Sequence, residues 1–304
     1  MSRKKAIIIY PHTHWDIEWY STSEEFRVHL VKTVSRIIKL LEKGVLKSFT
    51  LDGQSVLLDE IKVVNSRLLS KIKDLASKGL LEIGPWYTQP DLYLVCGESI
   101  IRNLLIGMIE SNKFGGCLNV VYVPDTFGHP SQMPQIIKGF NINVYIFSRG
   151  NPLDVNEYGS EFIWEAPDGS RLLAYNFGGY GWSITPRVAR VPFEVYQRVG
   201  VHSAMIVYGI GDHGGGPTRR DILRCREMNA WPVFPSFRLA TTRDYFRIVE
   251  RQGEKLPVLE GELNFEFTGC YTSESNIKRA NRFAEAALYE AETAAAVAWT
   301  LGLR

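Results

Sequence analysis

No apolar run in this chain approaches the ~20 consecutive residues that a membrane-spanning helix needs, so no membrane segment is expected. An excess of one charge is also missing. Thirty-five Lys and Arg stand against 33 Asp and Glu, a net of +2. That balance excludes a basic nucleic-acid footprint and an acidic tail. CxxC spacing is absent, and Cys96, Cys117, Cys225 and Cys270 are scattered. In a chain of this size the expectation is four free thiols in a reducing compartment. Internal repeats and low-complexity linkers are lacking too. The start, Met1-Ser2-Arg3-Lys4-Lys5, is basic like a secretion signal. The apolar run behind it stops at Tyr10, short of the ~7–15 residues such a signal requires. A cytoplasmic protein is expected.

The 304 residues are 45% hydrophobic and 22% charged, which excludes a disordered chain and allows one large α/β domain or two ordinary ones. Residues 6–10 form a β-branched run that reads as a buried, parallel strand. Further strands are expected at 49–51, 80–83, 120–123, 144–147 and 204–208, with helices at 26–46, 56–79 and 98–110. Strands alternating with helices indicate an α/β fold with a mostly parallel sheet or barrel. Residues 151–200, rich in Gly and aromatics, are the least regular and suit long active-site loops. From 277 to 301 the chain turns Ala- and Glu-rich. Phe283, Ala287, Ala291, Ala294 and Ala298 fall near helical spacing, so one long helix with a small-residue face is expected to pack on something.

Sites in parallel α/β folds form beyond the carboxyl ends of strands. Here the first strand leads to His14 and Asp16, and the strand at 120–123 leads to Asp125. The strand at 144–147 leads to Arg149, and that at 204–208 to Asp212 and His213. Imidazole and carboxylate suit zinc or a similar divalent ion, and two-residue spacing on an extended segment puts His14 and Asp16 on one side. Asp125 suits either a metal ligand or a carboxylate nucleophile, with a helix N-cap as the competing structural reading. Gly211-Asp212-His213-Gly214-Gly215-Gly216 lacks the lysine and spacing of a phosphate loop. It lets a ligand approach the backbone closely, or it is a plain tight turn. The loop aromatics Trp15, Trp19, Trp86, Tyr87, Trp164, Tyr180 and Trp182 could stack on sugar faces, although packing is the commoner fate of Trp.

These segments resemble glycoside hydrolase family 38, the α-mannosidases, and are nearest in wording to prokaryotic mannosidase and mannosylglycerate-hydrolase-like members. The resemblance rests on His12-Thr13-His14-Trp15-Asp16-Ile17-Glu18-Trp19-Tyr20, Leu51-Asp52-Gly53-Gln54 and Ile83-Gly84-Pro85-Trp86-Tyr87 with Gln89-Pro90-Asp91. It continues through Pro124-Asp125-Thr126-Phe127-Gly128-His129, Met133-Pro134-Gln135-Ile136, Phe162-Ile163-Trp164, Gly211 to Thr218, and Gly269-Cys270-Tyr271-Thr272-Ser273 with Lys278-Arg279. It implies a mostly parallel (β/α)7 barrel-like catalytic domain over 1–275, then the first helix of a truncated helical domain over 276–304. The implied activity is a metal-dependent retaining α-mannosidase acting on a mannoside or oligosaccharide. Zn²⁺, or another divalent metal such as Co²⁺, would be held by His14, Asp16 and Asp125, and Asp125 would also be the nucleophile. Asp212 would be the acid, and Trp19 and Arg149 would meet the sugar; from the loop aromatics, Trp86 and Tyr180 are expected as further sugar contacts.

One departure concerns the metal shell. Many members supply a further ligand from a Glu-Phe-His segment, whereas this chain reads Glu266-Phe267-Thr268-Gly269-Cys270, so His213 or water would complete the shell. The other is length, since family members carry a helical bundle and large β-rich domains. That leaves a second reading, a non-catalytic or split-enzyme fragment needing a partner chain that supplies the C-terminal domains, or a homo-oligomer. A third, a metal-dependent carbohydrate deacetylase, requires a metal-bound water in place of a carboxylate nucleophile.

Overall fold

The β-branched run near the start forms β1 (Ala6–Thr13), buried along its whole length. The structure, a computed structural model, describes residues 5–150, 152, 160–181, 183–209, 215–252, 256–264, 266–267 and 269–303. Both faces of β1 are covered, which suits a parallel strand that reads as continuous Ile rather than as an alternation. Its partners are all parallel: β2 (Phe49–Leu51) beside residues 12–13, β8 (Ser203–Tyr208) along residues 6–11, and β9 (Ser236–Leu239) along residues 6–9. The first sheet runs β3 (Leu81–Glu82), β2, β1, β8, with β9 sharing the β2 edge of β1.

A second sheet has the order β10 (Val258–Glu260), β6 (Ser160–Glu165), β7 (Arg171–Asn176), β5 (Val144–Phe147), β4 (Val121–Val123). Only β6 and β7 pair antiparallel. The two sheets enclose one apolar cluster that includes Ile9 and Tyr10 of β1, Tyr122 of β4, Ile146 of β5, Tyr175 of β7 and Val207 of β8. Hydrogen bonds cross between the sheets, among them one from the Tyr122 hydroxyl of β4 to His12 Nδ1 of β1. Leu118 N donates to Ile83 O at 2.8 Å, and the Tyr175 hydroxyl donates to Met205 O at 2.6 Å.

Helices cover the outside. α1 (Ser23–Glu42) starts from a capping box in which Thr22 and Glu25 satisfy each other's backbone N–H groups. Its buried stripe of Phe26, Leu30, Val34, Ile37 and Leu41 follows the helical period. It packs with α2 (Val56–Asn65) and α3 (Arg67–Ser77), which divide at Ser66 where a single helix is expected from the sequence. α4 (Gly97–Lys113) and α5 (Met133–Gly139) lie over the second sheet, and α6 (Val191–Val199), α7 (Arg219–Asn229) and α8 (Thr242–Gln252) over the first.

Residues 151–200 hold more regular structure than their composition suggests. The hairpin β6–β7 and helix α6 lie there. Phe162 and Trp164 alternate along β6 and are fully buried, and Gly169, at φ +81°, makes the left-handed turn between the strands. Alternation, the property that makes a strand, outweighed the glycine and aromatic content.

α9 (Ser275–Thr300) docks through polar contacts. The Glu285 carboxylate accepts from Cys96 N at 2.9 Å and Ser99 Oγ at 2.8 Å, at the start of α4. Arg102 forks onto Glu292. The expected small-residue face is not the buried one, because Phe283, Ala287, Ala291 and Ala294 are exposed. All four cysteines are unpaired. Among the described residues no helix is long and apolar enough to cross a membrane.

Candidate active site

Strand register assembles the site. Thr13 of β1 pairs with Leu51 of β2, so His14 and Asp52 are the next residues on neighbouring strands. Val123 of β4 pairs with Phe147 of β5, so Asp125 and Arg149 each lie two residues further on. The two pairs are side-chain partners. His14 Nδ1 stands 3.2 Å from Asp52 Oδ1, and Arg149 Nε donates to Asp125 Oδ1 at 2.8 Å.

Asp52 is fully buried. Its φ of +49° and that of Gly53, +64°, turn the chain sharply after β2, where a Cβ on Gly53 would stand 2.8 Å from the Tyr122 ring. Asp52 Oδ2 accepts from Trp15 N at 2.8 Å and Gln54 Nε2 at 2.7 Å, while Oδ1 also accepts from Gln89 Nε2 at 3.1 Å. Burial raises the Asp52 carboxyl, and His14 with these donors opposes that shift. An ionised carboxylate only accepts, so His14 Nδ1 carries the proton toward Asp52 and Nε2 faces the other way.

His14 Nε2 is buried and has no hydrogen-bond partner. Asp16 Oδ1 lies 3.6 Å from it and Asp125 Oδ2 3.9 Å. Burial works against a charged imidazole, yet Asp52 and Asp16 outweigh it and His14 is pushed up to about 10. A divalent cation at Nε2 would take the place of that proton. Neighbouring ligand atoms round a tetrahedral zinc stand roughly 3.3 Å apart, so both carboxylate oxygens lie a little farther from Nε2 than a closed shell requires. Among the described residues no group of three or more His, Cys, Asp or Glu side chains is placed so as to hold a metal ion as it stands.

Arg149 is bracketed on several sides. Nη1 donates to Glu266 Oε1 at 3.1 Å and Nη2 meets the Tyr180 hydroxyl at 3.4 Å. The rings of Phe127, Tyr180 and Phe267 lie 5.6, 5.7 and 5.2 Å from its guanidinium carbon, within cation–π range. Tyr180 also stands edge-on to His14 with ring centroids 5.0 Å apart. Its carbonyl accepts from His12 Nε2 at 2.7 Å. Burial pushes His12 down to about 3, so it is neutral, and its Nδ1 is left to accept from the Tyr122 hydroxyl. Tyr271 ties two nearby loops together, donating to Asp91 Oδ1 at 2.7 Å and accepting from Phe127 N at 3.1 Å.

His14, Asp16, Asp125, Arg149 and Tyr180 therefore come together from strand ends far apart in sequence. Trp19, 63% exposed, lies on the segment after Asp16, edge-on to Tyr20. Trp86 is a correction. It has no exposed surface and packs among Leu92, Ile100, Leu104 and Val121, with α4 laid so close that a Cβ on Gly107 would stand 2.1 Å from the Trp86 carbonyl carbon. No ligand face is left on that ring. The expected acid Asp212 and expected ligand His213 lie outside the described residues. Asp52 and Glu266 were not among the candidates. Asp52 carries the signal that flagged Asp125, an acid directly after an apolar strand, whereas Glu266 follows no core strand of the first sheet and is visible only in space.

The family model described as Glycosyl hydrolases family 38 N-terminal domain matches residues 4–262. A protein of Halalkalibacterium halodurans assigned as a mannosylglycerate hydrolase is 30% identical over 89% of this chain and 32% of its own length. Human alpha-mannosidase 2C1 is 29% identical over 94% of this chain and 28% of its own. The crystal structure of an alpha-mannosidase from Enterococcus faecalis superposes with a TM-score of 0.74 at 29% identity, over 86% of this chain and 31% of that one. The chain thus spans about a third of the length of the relatives it matches.

Proposed function

The chain belongs to glycosyl hydrolase family 38 through that N-terminal domain, and on this premise we propose that it carries the catalytic centre of a metal-dependent retaining α-mannosidase. The observation that carries the proposal is the buried, unpartnered His14 Nε2 facing Asp16 and Asp125. His14, Asp16 and Asp125 would hold Zn²⁺ or Co²⁺, with His213 as the proposed further ligand. When bound, the cation supplies a fixed positive charge that grips sugar hydroxyls and favours their distorted geometry.

Asp125 is the proposed nucleophile. Its carboxylate oxygen attacks the anomeric carbon while the bond to the leaving oxygen breaks, giving a covalent mannosyl-Asp intermediate. The leaving oxygen takes a proton from a second carboxylic acid, for which Asp212 is proposed; water then releases the sugar from Asp125. Arg149 holds Oδ1 of Asp125 through one hydrogen bond, while Oδ2 stays turned toward His14 and the proposed cation. Trp19 and Tyr180 are proposed to meet the sugar faces. Around the site we propose a (β/α)7 barrel in the order β8, β1, β2, β3, β4, β5, β7; the bonds Leu118–Ile83 and Tyr175–Met205 at its two seams support that closure.

A second reading rests on α9, whose Ile277, Phe283, Leu288 and Trp299 are exposed. On it, residues 276–304 begin a helical domain, and a further chain segment, a partner chain or a second copy covers this face before the site works. An aryl α-mannoside assay with added Zn²⁺ or Co²⁺ tests the first reading. Turnover that Asp125→Asn abolishes, with the intermediate trapped on Asp125 by an activated fluoro-mannosyl fluoride, is expected. Hydrolysis of acetylated sugar without trapping would replace it with the deacetylase reading, and turnover only on adding a segment or chain that covers α9 would select the second.

A further inference from the structure

The Glu266 carboxylate faces the nucleophile's arginine from the side opposite Asp125. Its Oε1 accepts from Arg149 Nη1 at 3.1 Å and its Oε2 from Gly150 N at 3.2 Å. One side chain therefore grips both the guanidinium and the backbone just beyond β5. Its own segment is anchored by the paired backbone bonds between His129 and Leu263, both 2.9 Å. Phe267 follows at φ +56° and lays its ring against Phe127, 5.3 Å between centroids, closing the aromatic side of the bracket.

Both Glu266 oxygens are engaged by N–H donors, one on Arg149 and one on the Gly150 backbone. These contacts give Glu266 a geometric role. A free guanidinium beside a carboxylate takes it in a two-pronged fork. Here Arg149 holds Asp125 through Nε alone, by one oxygen, and Oδ2 stays turned toward His14.

We propose that Glu266 is a positioning residue that ties down the outer prong of Arg149, so that Arg149 aligns Asp125 without capturing its second oxygen. The inference rests on the reading of Asp125 as shared between cation and nucleophilic roles. Without Glu266 the guanidinium is free to turn and grip both Asp125 oxygens, withdrawing Oδ2 from the cation and from the sugar.

The test compares Zn²⁺ affinity, by competition with a chromophoric chelator, for the full chain and the variants Glu266→Gln, Arg149→Met and the double variant. Glu266→Gln is expected to weaken Zn²⁺ binding about tenfold, the scale of outer partners of metal ligands. Removing Arg149 as well should restore it, because nothing remains to capture Asp125. A merely structural role would leave the double variant at least as weak as the single one, and that result overturns the proposal. Added formate should also recover part of the loss in Glu266→Ala by refilling the carboxylate's place. A wild-type chain that binds no Zn²⁺ counts against the catalytic reading. In that case a double-mutant cycle of Glu266→Gln and Arg149→Met on thermal unfolding decides the contact alone, and zero coupling overturns the inference.

Discussion

Asp52→Asn separates the buried carboxylate's electrostatic role from its shape. The amide is isosteric, so its oxygen can keep the Oδ2 position and go on accepting from Trp15 N and Gln54 Nε2. Its NH₂ then falls at the Oδ1 position, where His14 Nδ1 and Gln89 Nε2 both now donate. Two donors cannot share that contact. Gln89 is held in place because its Nε2 also donates to the Asp52 carbonyl, and His14 can comply only by moving its proton from Nδ1 to Nε2. A protonated Nε2 has no lone pair for a cation. The folding cost is that of one or two mismatched buried hydrogen bonds, about 1–3 kcal/mol. The metal cost is expected to be of similar size: a 10–100-fold loss of Zn²⁺ affinity, equal to about 1.4–2.8 kcal/mol. Chelator competition measures the affinity, and thermal unfolding with and without Zn²⁺ measures the stability. Asp52→Asn with wild-type Zn²⁺ affinity would refute the tautomer argument, and with it the assignment of His14 Nε2 as the ligating atom.

Three further outcomes concern the scaffold. Burial pushes His129 down to about 4, against about 6.5 in an unfolded chain. Between those values the unfolded chain binds more protons, so stability is full above pH 6.5 and falls toward pH 4, by about 3 kcal/mol in all; urea titrations should show a shallower loss for His129→Gln. Glu161 is fully buried against Arg198 Nη2 at 2.8 Å, so Glu161→Ala should cost about 3 kcal/mol in urea unfolding, and a wild-type midpoint would show the pair contributes nothing. Gly107→Ala should destabilise by about 1–3 kcal/mol, although Ala at a helix interior normally gains up to ~1, because the new Cβ meets the Trp86 backbone at 2.1 Å; a raised melting temperature would contradict this.

Much of this was legible because strands and site share one pattern. Runs such as Ile7-Ile8-Ile9 and Val121-Tyr122-Val123 announce buried strands, and the ionisable residues just beyond them stand out against apolar neighbours. His14, Asp16, Asp125 and Arg149 carry that contrast. What stayed hidden depends on pairing between distant segments. Nothing near Asp52 indicates that its carboxylate lies under His14, since that contact is made by β2 pairing with β1. Glu266 reaches Arg149 because the segment after β10 is bridged to His129. Trp86 misled for a local reason: it follows a strand end as an active-site residue would, yet the chain there turns under α4 and its ring goes into the core. The hairpin β6–β7 was obscured by the glycines and aromatics of its surroundings.

The register of the strands has a consequence for how such a centre tolerates change. His14 meets Asp52, and Asp125 meets Arg149, because neighbouring strands are in step at Thr13–Leu51 and Val123–Phe147. The spacing of the working groups is therefore independent of how long the chain takes to travel between the two strands. The crossover through α5 could be lengthened or exchanged for another helix while leaving the Asp125–Arg149 distance unchanged, provided that residues 121–129 and 144–150 are kept. A one-residue slip in either strand pair would instead turn one partner to the opposite face of the sheet. Chimeras that swap crossover helices while keeping strands and strand ends should retain the centre, whereas equally small insertions inside β4 or β5 should dismantle it.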